Sequence, residues 1–429
     1  MILSNRKNIK IGLTSFVTVL VALITSVVYG GVFELTDFPS QHPAIETLRT
    51  EFFQSRKTGT NWEKMSLFYR TFYQTRTTGS VQILPKKEPM SYNLWLQAKP
   101  AELVVVLPGL GAHYSNITST AFAELLQRSG YSVVVVSNAM NWQFMEQASR
   151  AKVPGYTPAD ADDVYNALKI VTKQLDQLYP GKIIGRKLMG YSLGALHTLF
   201  ISDIEYGVKQ PLFNRYLAIS PPVDLFYAMS MIDRYYMVGA QWDKATMEHH
   251  LKKAIAAYMA LVTGKAEKNK KIELDADEAK FLIGESFHLI LTDIIYSIYR
   301  RHKLGIIKAK YSWYDRKEIY AEIGTFSYKK YLQQYLLKVY STKFKRKMTI
   351  DELSRKSSLT AISKSLATNQ AVRILHNRND FLLKPADQQW LAKILGERLT
   401  LFSDGGHLGN FYLTAVQQKI IESLKIEKK

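Results

Sequence analysis

Four short segments carry residue types suited to nucleophilic acyl chemistry. Ser192 lies in Gly190-Tyr191-Ser192-Leu193-Gly194, after an apolar run and before a stretch of helical pattern. A sharp strand-to-helix turn with a glycine on each side lifts a serine hydroxyl clear of a sheet edge. The next residue opens a helix, so the free N–H of Leu193 can face a developing oxyanion. A serine hydroxyl attacks poorly unless a histidine takes its proton and a carboxylate holds that histidine in the right tautomer. His407, in Gly405-Gly406-His407-Leu408-Gly409, is the candidate base, and Asp380, closing the segment His376-Asn377-Arg378-Asn379-Asp380, is the candidate acid. Pro108-Gly109-Leu110-Gly111 is a glycine turn that can aim the Leu110 N–H at the same point as that of Leu193.

Rival residues are present. Asp224 follows another short apolar run and Asp387 comes seven residues after Asp380, so either is an alternative acid; Asp404 reads as a turn residue. His197 falls on the helix after the serine, and His376 ends the run before the acid, where it can form the floor of a site. His113 lies near the glycine turn and can line a pocket. In Glu248-His249-His250 the two histidines are adjacent. On a helix they point about 100° apart, a poor start for a metal site. No metal or organic cofactor is called for.

The elements that must position these groups alternate between strand and helix. Short aliphatic runs at Leu103–Leu107, Tyr131–Ser137, Lys182–Met189, Arg215–Ser220, Val372–His376 and Leu399–Phe402 read as buried parallel strands. Ser119–Arg128, Ala159–Leu178, Leu193–Ser202, Ala386–Ile394 and Leu413–Leu424 read as helices. Two further strands are expected at Val81–Leu84 and Tyr92–Leu96, around a Pro85–Pro89 turn. Ser192, Asp380 and His407 each follow a strand, and all three belong at the carboxyl ends of a parallel sheet. From Asp224 to about Asn369 the alternation gives way to helical pattern, so one α/β domain interrupted by an insertion is the simplest organisation. The expected divisions are 1–30, an N-terminal signal peptide or membrane anchor; 31–98, an extension and first strands; 99–223 and 371–429, the two parts of the α/β core; and 224–370, a helical cap. Residues 34 to about 75 read as polar and partly helical, with Trp62, Met65, Phe68, Tyr69 and Phe72 at helical spacing, and Lys265–Lys271 as a solvated helix end or loop.

Composition narrows the setting. Of 429 residues, 47% are hydrophobic and 12% aromatic, as in an ordered globular protein with a large core. With no cysteine in the chain, disulfides, a cysteine nucleophile, thiolate metal sites and a lipidated cysteine are excluded. Arg6, Lys7 and Lys10 precede an uncharged run from Ile11 to Phe33. Both a cleaved signal peptide and a retained transmembrane anchor fit that run, and both place the rest of the chain outside the cytoplasm, in a periplasm or facing outward from a membrane. The formal charge is +20, and residues 300–347 hold fourteen lysines and arginines against three acids, interleaved with Tyr311, Trp313, Tyr314, Tyr320, Tyr328, Tyr331, Tyr335 and Tyr340. Three readings fit: a solvated helical surface with its tyrosines turned inward, a face for anionic membrane, or a nucleic-acid surface, the last disfavoured by export.

Taken together, the PGLG turn, the G-x-S-x-G elbow, an acid after a strand and a late Gly-Gly-His resemble an α/β-hydrolase with a cap domain, of the esterase, lipase and serine aminopeptidase-like branches. The likeness covers about residues 99–223 and 371–429. It implies a mostly parallel sheet flanked by helices, with Ser192 as nucleophile, His407 as base, Asp380 as orienting acid and the N–H groups of Leu110 and Leu193 as the oxyanion hole. The implied activity is that of a serine hydrolase cleaving a carboxylic or lipid ester through an acyl-serine intermediate. A peptidase or amidase, an acyltransferase, and a non-catalytic envelope binding protein remain as alternatives. PGLG stands where many members carry His-Gly, and the lysine-rich insertion matches no particular branch.

Overall fold

A computed structural model describes residues 32–53, 67–263, 265–310 and 315–426. The segment 1–31, with most of the uncharged run, lies outside them, as do Trp62, Met65, Tyr311, Trp313 and Tyr314. Nine strands form one sheet: β1 (Val32–Phe33), β2 (Arg76–Val81), β3 (Met90–Trp95), β4 (Ala101–Leu107), β5 (Ser132–Val135), β6 (Ile183–Tyr191), β7 (Arg215–Ile219), β8 (Val372–Asn377) and β9 (Leu399–Phe402). Their order across the sheet is β1-β9-β8-β7-β6-β4-β5-β3-β2. Every neighbouring pair from β1 to β5 is parallel, while β5–β3 and β3–β2 are antiparallel.

The central strands are aliphatic because both faces are covered. Leu103, Val104, Val105 and Val106 of β4 are all fully buried, alternate residues joining the cores on opposite sides of the sheet. The helices Thr157–Leu178 and Leu193–Ile204 contribute to one core, and Ile117–Arg128 and Thr414–Leu424 to the other. Cations also enter these strands: Lys187 of β6 is buried and pairs with Glu102 at 2.9 Å, which offsets the cost of desolvating it, and Arg215 of β7 is buried as well.

The sequence and the structure differ in two places. The first hairpin lies at Arg76–Val81 and Met90–Trp95, with Val81 paired to Met90, several residues before the strand expected at Val81–Leu84. β2 is an edge strand with mostly exposed polar residues, and these hide the alternation that marks a strand. The expected polar extension is partly core: Leu35, Phe38, Ala44, Ile45, Leu48, Phe52 and Phe53 are buried. They are spread over a loop, the helix Pro43–Leu48 and the tight turn that follows it, so no single period displays them. The last two residues of the uncharged run, within the expected 31–98 extension, form β1 and pair with Leu401 and Phe402. Farther on, Phe72 stacks on Trp95 at 5.3 Å, and the Trp95 indole N–H donates to its carbonyl.

Between β7 and β8 the described residues form helices, among them Leu225–Tyr236, Lys244–Val262, Ala276–Arg301, Lys317–Ile323, Leu337–Lys343, Ile350–Lys356 and Ser363–Thr368. Tyr328, Tyr331, Tyr335 and Tyr340 are buried, whereas Lys329, Lys338, Lys343, Lys345, Arg346 and Lys347 are exposed. Over residues 328–347 the interleaving of tyrosine and cation is therefore a division between inside and outside, whereas Tyr320 is exposed. Ala276–Arg301 is long and apolar enough to cross a membrane, but half of its apolar stretch is buried within the protein. At Gly284 a Cβ would lie 2.2 Å from the backbone nitrogen of Tyr236, so this helix lies close against Leu225–Tyr236.

Candidate active site

β6 ends at Tyr191, and Ser192 is the cap of the helix Leu193–Ile204 with φ 54° and ψ −124°. Its N–H donates to the Ile219 carbonyl at 2.9 Å, so the strained residue stays tied to the neighbouring strand. The flanking glycines are required by close approach as well as by the turn. A Cβ at Gly190 would lie 2.2 Å from the Gly194 carbonyl oxygen, and one at Gly194 would lie 2.1 Å from that of Leu107. Leu193 begins the helix, where a backbone N–H has no partner within the helix.

Asp380 stands in the turn after β8 and His407 in the turn after β9. The Ser192 Oγ is 2.9 Å from His407 Nε2, and His407 Nδ1 is 2.8 Å from Asp380 Oδ2. The other Asp380 oxygen accepts the Leu382 N–H at 2.9 Å. All three residues are buried, with Ser192 only 8% exposed. Leu110 lies in the turn after β4, which is pinned by Asn138 and Asn141, whose side-chain amides donate to the carbonyls of Pro108 and Gly111. Gly109 abuts the elbow, a Cβ there falling 3.4 Å from that of Ser192. The structure thus brings the serine, the histidine and the acid into one chain of hydrogen bonds, with the Leu110 turn beside them.

The remaining sequence candidates sit elsewhere or act differently. Asp224 caps the helix Leu225–Tyr236 and pairs with Lys384 at 2.9 Å. Asp387 accepts the Lys384 N–H at the start of Pro385–Leu395. The Asp404 carbonyl accepts from Asn410. His197 is buried in its helix, where desolvation lowers its pKa to about 4. His113 lies between Tyr114 and Trp142, its ring 4.0 Å from the first and 6.0 Å from the second. His250 joins Asp275 and Glu278, but Lys253 already occupies Glu278 at 2.8 Å, which makes the group an ion-pair cluster between two helices, Lys244–Val262 and Ala276–Arg301.

Other residues around the triad have little signature in the sequence. His376 Nδ1 lies 3.7 Å from the Asp380 carboxylate and its Nε2 3.1 Å from the Pro221 carbonyl. Burial holds it below the usual imidazole pKa, against the pull of Asp380. Phe381 meets the His407 ring edge-on at 6.0 Å and stacks on Tyr235 of the helix Leu225–Tyr236 at 4.5 Å. Ile290, from Ala276–Arg301, occupies the space beside Gly111, where a Cβ would fall 2.4 Å from its Cγ2. Side chains from the helical region between β7 and β8 therefore pack against Phe381, which meets the His407 ring, and beside Gly111. The density of polar residues in His376–Asp380 is the one sequence signal that could have disclosed part of this network.

No protein-family profile matches the chain, and no curated protein matches it by sequence. Solved structures similar to it include an esterase of Pyrococcus furiosus (13% identity, TM-score 0.41, covering 86% of this chain and 98% of that one). An acylaminoacyl peptidase of Pyrococcus horikoshii is similar at 11% identity and TM-score 0.44, over 87% of this chain and 45% of that one. The naproxen esterase of Bacillus subtilis is similar at 11% identity and TM-score 0.38, over 84% of this chain and all of that one. On the strand order, the strand–turn–helix around Ser192 and the strand-end positions of Asp380 and His407, all read from this chain's own geometry, the protein has the α/β-hydrolase fold.

Proposed function

We propose that the protein is a serine hydrolase that cleaves a carboxylic or lipid ester through an acyl-serine intermediate. The observation that carries this reading is the unbroken chain Ser192 Oγ–His407 Nε2–Asp380 Oδ2, at 2.9 and 2.8 Å. His407 Nδ1–H donates to Asp380, which leaves Nε2 free to accept the serine proton as Oγ attacks the acyl carbon. The N–H groups of Leu110 and Leu193 receive the oxyanion. The tetrahedral intermediate collapses, the leaving alcohol takes the proton from His407, and an acyl group remains on Ser192. Water then attacks with its proton passing to His407, and release of the acid returns that proton to Ser192.

The helical region 224–370 is a cap in this reading, since its Ile290 packs beside Gly111 and its Tyr235 stacks on Phe381, which meets the His407 ring. We place the enzyme outside the cytoplasm, on the grounds of Arg6, Lys7 and Lys10 before the uncharged run. Its outward lysines would meet an anionic membrane surface. Flotation with anionic liposomes at low salt tests that contact; protein that stays at the bottom of the gradient rejects it.

A fluorophosphonate probe tests the reaction class. Wild type is expected to label at Ser192, identified by mass spectrometry, and Ser192→Ala to lose the label. A folded wild type that does not label overturns the reading in favour of a non-catalytic scaffold. A series of p-nitrophenyl esters run beside aminoacyl amides separates esterase from peptidase.

A further inference from the structure

The proton relay works only if the His407 ring stays within hydrogen-bond reach of Ser192, yet His407 sits in the long turn between β9 and the helix Thr414–Leu424. Three successive N–H groups of that turn are each held by a side chain. Gly405 N–H donates to Glu46 Oε2 at 2.8 Å, Gly406 N–H to Asn379 Oδ1 at 2.9 Å, and His407 N–H to Thr47 Oγ1 at 2.8 Å. Two of these three acceptors belong to Pro43–Leu48, about 360 residues away in sequence. Glu46 is fully buried. Its Oε2 also accepts from Asn379 Nδ2 at 2.6 Å, and its Oε1 accepts the Gln41 N–H at 2.8 Å. The same carboxylate therefore holds the His407 turn and the residue next to Asp380.

The glycines of the turn fit the same arrangement. A Cβ at Gly406 would lie 2.2 Å from the Pro43 carbonyl oxygen, and one at Gly409 would lie 1.8 Å from that of Glu46. The helix and the turn meet backbone to backbone, closer than any side chain would allow. Gly405-Gly406-His407-Leu408-Gly409 is thus shaped to receive Pro43–Leu48 as well as to present the histidine.

We propose that Glu46 and Thr47 are positioning residues for His407, and that Pro43–Leu48, from outside the α/β core, sets the geometry of the relay. This rests on the serine-hydrolase reading above. The chemistry of Glu46 is specific to a carboxylate. Both of its oxygens accept from N–H donors, so an amide could satisfy one side only and would turn its own N–H groups towards donors on the other. A displacement of the base by about 1 Å lowers turnover by about 10²-fold.

The test counts active sites by fluorophosphonate titration and then measures kcat and KM per labelled site on p-nitrophenyl butyrate. Thr47→Val and Glu46→Gln are each expected to lower kcat per site by about 10- to 100-fold with KM unchanged. Thr47→Ser keeps the acceptor and is expected to restore most of the rate. Leu175→Ala removes a buried side chain from the helix Thr157–Leu178, which makes none of these contacts; it is expected to lower thermal stability and leave kcat per site unchanged. If wild type labels and both Glu46→Gln and Thr47→Val turn over like wild type per labelled site, the positioning proposal is overturned alone. If Thr47→Val fails to fold, the nearly isosteric Glu46→Gln decides the matter. An unlabelled wild type overturns the serine-hydrolase reading, and this proposal with it.

Discussion

Replacing Asp380 by asparagine separates the three candidate acids by a defined mechanism. The two Asp380 oxygens have different partners: Oδ1 accepts the Leu382 backbone N–H at 2.9 Å, and Oδ2 faces His407 Nδ1 at 2.8 Å. An asparagine has one acceptor oxygen. The backbone donor cannot turn away, so the oxygen stays on the Leu382 side and the NH2 group faces Nδ1. Nδ1 must then accept, the ring proton moves to Nε2, and Nε2 can no longer take the proton of Ser192. A change of this kind in another triad lowers turnover by about 10⁴-fold, roughly 5.5 kcal/mol at about 1.36 kcal/mol per factor of ten. The assay is the second-order rate of fluorophosphonate labelling together with ester hydrolysis, and thermal unfolding confirms an intact fold. Asp224→Asn and Asp387→Asn are expected to stay within about tenfold of wild type, because neither carboxylate reaches His407 and both serve Lys384. Asp380→Asn with near wild-type turnover, or Asp224→Asn with a loss of a thousandfold, would refute the reasoning.

Other outcomes follow from single contacts. Gly194→Ala would set a methyl group 2.1 Å from the Leu107 carbonyl oxygen and 2.5 Å from that of Pro108. Neither backbone can yield, so the variant is expected to be insoluble or strongly destabilised; a Tm within about 2 °C of wild type would contradict this. Trp95→Ala removes a fully buried ring stacked on Phe72 and is expected to cost about 3–5 kcal/mol, read from the midpoint of denaturant unfolding. Burial pushes the Asp160 carboxyl from 3.8 up to about 8. The folded chain keeps this proton where the unfolded chain has lost it, so Asp160 makes stability fall as pH rises from about 4 to about 8 and adds no slope above that. Asp160→Asn still accepts the Gly155 N–H and does not titrate; relative to wild type it is expected to gain stability between about pH 5 and about pH 9, and an unchanged difference across that range rejects the mechanism.

Much of the fold and the core of the site could be read from residues alone. The valine and leucine runs of β4 and β5 sit where continuous apolar strands were expected, because strands covered on both faces need side chains without polar atoms. Ser192, Asp380 and His407 were legible because each follows such a strand and is framed by glycine or by polar turn residues. The hairpin β2–β3 was legible only roughly, since an exposed edge strand carries no apolar alternation. The sequence places His376 at the end of the strand before the acid but does not place it against Asp380, because a histidine's neighbour across a turn leaves no spacing signal.

By itself the sequence determined the alternation of strand and helix, the elbow at Ser192 and the identity of the groups able to move a proton, since these depend on local periodicity and on the chemistry of single side chains. Only the tertiary structure decided which carboxylate reaches His407, which side chain packs beside Gly111, and which groups accept the N–H donors of the His407 turn. Asp224, Asp380 and Asp387 are equally acidic as residues, and a distance of 2.8 Å selects one of them. Glu46 and Thr47 read as an ordinary turn of helix in a polar extension. They reach the site because the chain brings Pro43–Leu48 against glycines near its other end, and pairings over such a separation follow from packing of the whole molecule, which no local pattern records.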